Sequence, residues 1–171
     1  MAKFVLLPDE ELRRLNRLAQ VNIVYLLVVS LASFFGGACA LTAPDLYPAL
    51  PLCLRPIVAQ ALIGFSGSAV AALTSCLDRY ATGFERENGA PFPKNAKPGS
   101  DKFNRRFARW LFVRPFLGAI VAPTFIWGLS HFTNEPERYR AAIGFTAFIA
   151  GLLAKSVLEL MKNLFKNVFK S

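Results

Sequence analysis

Four stretches of the chain, 21–44, 56–77, 110–130 and 141–158, are almost free of charge. At ~1.5 Å per residue, a helix over any of them is long enough to cross a hydrocarbon core of ~30 Å. The segments between them carry a different pattern. In "LPDEELRRLNRLAQ" (6–19), Leu12, Leu15 and Leu18 fall on one face of a helix, and Arg13, Arg14 and Arg17 on another. In "KFNRRFARWLF" (102–112), Phe103, Phe107 and Trp110 line one face, opposite Lys102, Arg105, Arg106 and Arg109. In "SVLELMKNLFKNVFK" (156–170), Lys162, Lys166 and Lys170 recur every four residues against an apolar face.

These patterns predict an all-α integral membrane protein with a single membrane domain over 1–171. It has four transmembrane helices and amphipathic helices at the N-terminus, before the third span and at the C-terminus. The second helix of this kind is expected to lie along the membrane interface before the chain turns inward. Residues 78–109 form a cytoplasmic connector and 159–171 a basic cytoplasmic tail. The first twenty residues do not read as a signal peptide, because their polar region is long and acidic as well as basic. The first apolar stretch is therefore expected to remain as a membrane helix. "TAPDLYPALPLCLRP" (42–56) contains four prolines and reads as an outer loop. Pro115 suits the first turn of the third span, and Pro123 should kink it further in.

Composition supports this reading, and charge orients it. Hydrophobic residues make up 54% of the chain, with mean hydropathy +0.37. Of twenty Lys and Arg, sixteen fall in 1–20, 78–110 and 155–171, and three in 42–55 and 131–140. Positively charged loops stay inside, so both termini are expected in the cytoplasm of an inner-membrane, multi-pass protein. The net charge of +9 then belongs almost wholly to the cytoplasmic face, which can attract lipid headgroups or nucleic acid.

Little in the chain suggests covalent chemistry. There is no nucleophile elbow, phosphate-binding loop or zinc-binding helix motif, and the lone His131 lies in a loop. Cys39, Cys53 and Cys76 make no metal-binding pattern, although Cys39 and Cys53 both fall near the outer surface. The expectation is a protein that is not an enzyme and that has no metal or cofactor.

Two sets of residues are candidates for function. The first is Lys102, Arg105, Arg106, Arg109 and Arg114, an arginine-rich entrance to the third span. Planar guanidinium forks bind phosphate bidentately, so this set reads as an anion-binding rim. Snorkelling onto anionic lipid is the plainer explanation, and it also covers Lys155. The second set is the pore or packing face of the second span: Gln60, Gly64, Ser68, Ala72 and Ser75. Small residues every four positions let helices approach closely in lipid. They could serve packing within one chain, or a homo-oligomer with a tetramer as the preferred size. "IGFSGSAVAAL" (63–73) and "IGFTAFIAGLL" (143–153) are also alike, a weak internal repeat.

The phrases "SCLDRYATGFERENG" and "RPFLGAIVAP…FTAFIAGLLAKSVLEL" resemble small bacterial four-span membrane proteins. In architecture the chain is similar to membrane effectors of anti-phage defence systems, of the Hailong channel-subunit and Kiwa membrane-sensor type. The resemblance implies a closed oligomeric channel or pore triggered by a nucleotide or oligonucleotide, with a soluble partner encoded by a neighbouring gene. The alternative is a non-conducting scaffold or sensor that recruits a soluble partner to the inner membrane.

Overall fold

The computed structural model describes residues 9–43, 51, 54–84, 103–130, 140–156 and 158. These residues form four helices: α1 (Asp9–Thr42), α2 (Arg55–Thr82), α3 (Arg105–Ser130) and α4 (Arg140–Leu152). Among the described residues there is no strand, only an isolated bridge between Phe84 and Phe103. Three helices are long and apolar enough to cross a membrane: Glu10–Thr42, Arg55–Thr82 and Arg105–Gly128. The described part of α4 is 13 residues, about 20 Å at ~1.5 Å per residue. The basic tail 159–171 lies outside the described residues.

Helix α2 is the hub. It packs on α1, α3 and α4, whereas α1 and α4 scarcely meet. Its neighbours sit on three sides because small residues occur all round it. Gly64 lies against Gly118 and Ala122 of α3, and Gly151 of α4 lies against the Gly64 backbone. A Cβ at Gly64 or Gly151 would run into main chain, so only glycine permits this three-helix approach. On the α1 side, Ser66 Oγ donates to the Ser30 carbonyl at 2.9 Å. Such interhelical bonds matter in an apolar medium, where no water competes for the carbonyl.

Large apolar side chains point outward. Val21, Val24, Val28 and Phe35 of α1 are between 56 and 63% exposed, and Ile120 of α3 is 65% exposed. An aqueous surface does not present so many contiguous apolar groups, whereas a bilayer covers them without cost. The buried positions, by contrast, are dominated by Ala, Gly and Ser, as expected where packing rather than water exclusion drives helix association.

Three sequence expectations need correction. Helix α3 runs unbroken from Arg105 to Ser130, so the stretch from Arg105 to Phe112 forms the first turns of this helix and not a separate interfacial helix. Phe103 and Phe107 do not lie on lipid either. Both are buried in a cluster with Ala19, Leu26, Cys76 and Leu111. The reason is that α1 and α2 extend past the apolar stretches to Asp9 and Thr82 and provide protein surface for those rings. Pro115 consequently falls in the interior of α3, not in its first turn.

The connector is shorter than 78–109 and its ends are tied together. Helix α2 ends at Gly83, whose φ of 107° is accessible to glycine and whose N–H donates to the Arg79 carbonyl at 3.1 Å. Phe103 N–H then donates to the Gly83 carbonyl at 2.8 Å. The residues flanking the polar segment 85–102 thus form a closed neck.

Candidate functional site

The end of the bundle that carries Arg14, Arg79 and Arg105 is built around aromatic rings. Tyr80, Phe84, Phe103 and Phe107 form a chain of edge-to-face pairs with centroids 5.6, 5.9 and 5.9 Å apart. Phe103 is fully buried. Tyr80 Oη donates to Asn16 Oδ1 at 2.8 Å, which locks α1 to α2 at this end. The guanidinium of Arg79 lies 3.9 Å from the centre of the Phe107 ring, a cation–π contact. Sequence periodicity identified Phe103 and Phe107 as an apolar face but missed Tyr80, Arg79 and Phe84 as its cover. The available signal was the phenylalanine at each border of the polar segment 85–102.

The predicted rim divides in two. Arg105, Arg106 and Arg109 are exposed in the first turns of α3. Lys102 lies outside the described residues. Arg114 is on a different face. It follows Phe107 by seven residues, two turns of helix, so both point toward α2. Half-buried there, Arg114 donates from Nη1 to Ser75 Oγ at 2.8 Å. Ser75 Oγ in turn donates to the Ala71 carbonyl at 2.9 Å, so the hydroxyl oxygen is left as an acceptor for Arg114. One turn of α2 separates Ser75 from Arg79.

The second predicted set lies along the α2 hub. Gly64, Ser68 and Ala72 are buried between helices of the same chain, while Gln60 and Ser75 are half-buried. Ser68 Oγ donates to the Arg114 carbonyl at 2.8 Å, next to Pro115. Thus Ser68 bonds the α3 backbone and Ser75 the α3 side chain, both around residue 114. Pro115 and Pro123 remove N–H groups from α3, and Thr124 Oγ1 donates to the Ile120 and Val121 carbonyls at 2.9 Å.

Arginines outnumber carboxylates at this end, where Asp9, Glu10, Glu11 and Asp78 also lie. Arg14 pairs with Glu10 at 2.6 Å on the exposed face of α1. Among the described residues, neither Arg79 nor Arg114 has a carboxylate within ion-pair distance. No group of three His, Cys, Asp or Glu side chains among them could hold a metal ion. His131 and Cys53 lie outside the described residues. Comparison with protein-family models, with characterised proteins and with solved structures finds no match.

Proposed function

We propose that this chain is a membrane-anchored sensor or scaffold whose basic end faces the cytoplasm and takes an anionic partner. In this reading the chain crosses the inner membrane four times, α4 and the residues after it forming the last span. Both termini are then inside, a reading that the sixteen-to-three distribution of Lys and Arg supports. One observation carries the reading. Arg105 and Arg109 project into the surroundings one turn apart at the start of α3, while polar side chains deeper in the bundle are bonded inward. The exposed Arg105 and Arg109 lie at one end, and the outward surface of the spans is largely apolar.

The homo-oligomeric channel is the competing reading and uses the same basic end. It requires a pathway between copies lined by groups such as Gln60, Ser68 and Ser75. Ser68 is buried and donates within its own chain, and Ser75 is occupied by Arg114. This favours the sensor over a pore lined by that face. A nucleotide or oligonucleotide trigger, as the defence-system resemblance implies, is one anion that the exposed arginines suit. A soluble protein encoded nearby is another form of partner.

Proteoliposomes separate the two readings. A labelled single-stranded oligonucleotide is expected to bind the protein in a salt-dependent way without releasing entrapped ions. Reversing two cations with Arg105→Glu and Arg109→Glu should weaken binding about tenfold or more. Oligonucleotide-triggered ion release would favour the channel, and binding unchanged by the double reversal would remove the proposed surface.

A further inference from the structure

Arg114 and Arg79 pose a problem that packing alone does not resolve. Arg114 is half-buried, in a helix whose outward neighbours Val113 and Phe116 are about half exposed. A guanidinium has five N–H donors. Ser75 accepts from Arg114 at one nitrogen, and no carboxylate among the described residues balances the charge. Yet no fully buried side-chain nitrogen or oxygen among the described residues lacks a partner. The remaining Arg114 donors are therefore reached from outside the bundle. Arg79, nearer the basic end, stacks its face on Phe107 and leaves its in-plane donors for an acceptor. Two guanidiniums thus meet the same α2–α3 seam, one held by a hydroxyl and one by a ring.

We infer that this seam binds the phosphate of an anionic phospholipid headgroup, with Arg114 and Arg79 as the ligands and Ser75 as the residue that positions Arg114. This rests on the reading above only in that the spans lie in a bilayer. Depth selects a lipid. Trp110, one turn before Arg114, is 40% exposed and of the type that settles at the headgroup level. Side chains on a helix point back toward its N-terminus, so Arg114 reaches toward that level. Phosphate matches the geometry because planar forks bind its oxygens in pairs. Ordinary snorkelling onto bulk lipid would need no fixed guanidinium and would involve Arg109 equally.

Native mass spectrometry of the full chain in detergent tests this with three probes: phosphatidylglycerol, diacylglycerol without a phosphate, and inorganic phosphate. Wild-type protein is expected to retain phosphatidylglycerol and to lose diacylglycerol. Arg114→Gln should weaken phosphatidylglycerol binding about tenfold, with Arg79→Gln and Ser75→Ala weaker than wild type, while Arg109→Gln leaves it unchanged. Helical content by circular dichroism checks each variant, and Arg79→Gln and Ser75→Ala carry the test if Arg114→Gln does not fold. Equal losses in Arg109→Gln and the seam variants would overturn the site in favour of general attraction. Displacement by millimolar inorganic phosphate would overturn the lipid as the source of the phosphate. Oligonucleotide binding is read separately at Arg105 and Arg109, so either proposal can fail without the other.

Discussion

The two ends of the α2–α3 seam are built from opposite materials. Away from the basic end, Gly64, Gly118, Ala122 and Gly151 bring three backbones together with almost no side chain between them. Toward the basic end, Phe107, Leu111, Arg79 and Arg114 hold the same two helices together through large side chains. The first arrangement uses its surface completely: a small-residue seam buried on all sides has nothing left to bind. The second leaves donors unspent, because a guanidinium held at one nitrogen or on one face still offers the rest. Function is therefore sought where the packing is bulky and polar, and stability where it is small and close.

The comparison breaks most directly at Gly64. Leucine there would drive its Cβ into the Gly118 backbone and against Ala122 of α3, and main chain cannot move as a flexible side chain would. The expected loss exceeds the roughly 1–3 kcal/mol of ordinary overpacking. It should appear as loss of the folded chain in detergent unfolding, even at protein dilutions where no oligomer persists. A variant that folds normally and only fails to self-associate would put the small-residue row at a subunit contact instead.

The basic end should give a smaller effect. Phe103→Ala removes a fully buried ring from the neck of the connector, at an expected cost of about 3 kcal/mol. Amide exchange at Phe103 should accelerate, since the ring holds its hydrogen bond to the Gly83 carbonyl in place. Unchanged exchange would mean that the neck is held by something other than the aromatic chain.

Much of this arrangement was legible in the chain. Charge-free length pointed to four spans, and three helices among the described residues are long and apolar enough to cross a membrane. Four-residue spacing singled out Gly64, Ser68 and Ala72 without choosing between a pore and a packing face, and all three are buried between helices of one chain. What periodicity could not supply was the identity of the cover. An apolar face avoids water whether lipid or protein lies over it, so Phe103 and Phe107 read as interface anchors while they are in fact core. Arg114 was grouped with Arg105 and Arg109 by proximity in sequence. The spacing 103, 107, 111, 114, 118 places it on the α2-facing side with Gly118. That regularity was present, but a charged residue in a buried row is easily assigned to the surface. The start of α3 was hidden for a related reason. Nothing local to "KFNRRFARWLF" separates an interfacial helix from the first turns of a span when neighbouring helices extend just as far.

The central claim is that the arginine-bearing end of the bundle lies in the cytoplasm. Single cysteines introduced by Arg109→Cys and Pro51→Cys, with Cys39, Cys53 and Cys76 replaced by alanine, test it in intact cells with a membrane-impermeant maleimide. Arg109 and Pro51 are both exposed and lie at the two ends of α3 and α2. The cysteine from Pro51→Cys is expected to label from outside, and that from Arg109→Cys only after the membrane is permeabilised. Labelling at position 109 in intact cells, with position 51 protected, would reverse the orientation and contradict the proposed cytoplasmic sensor.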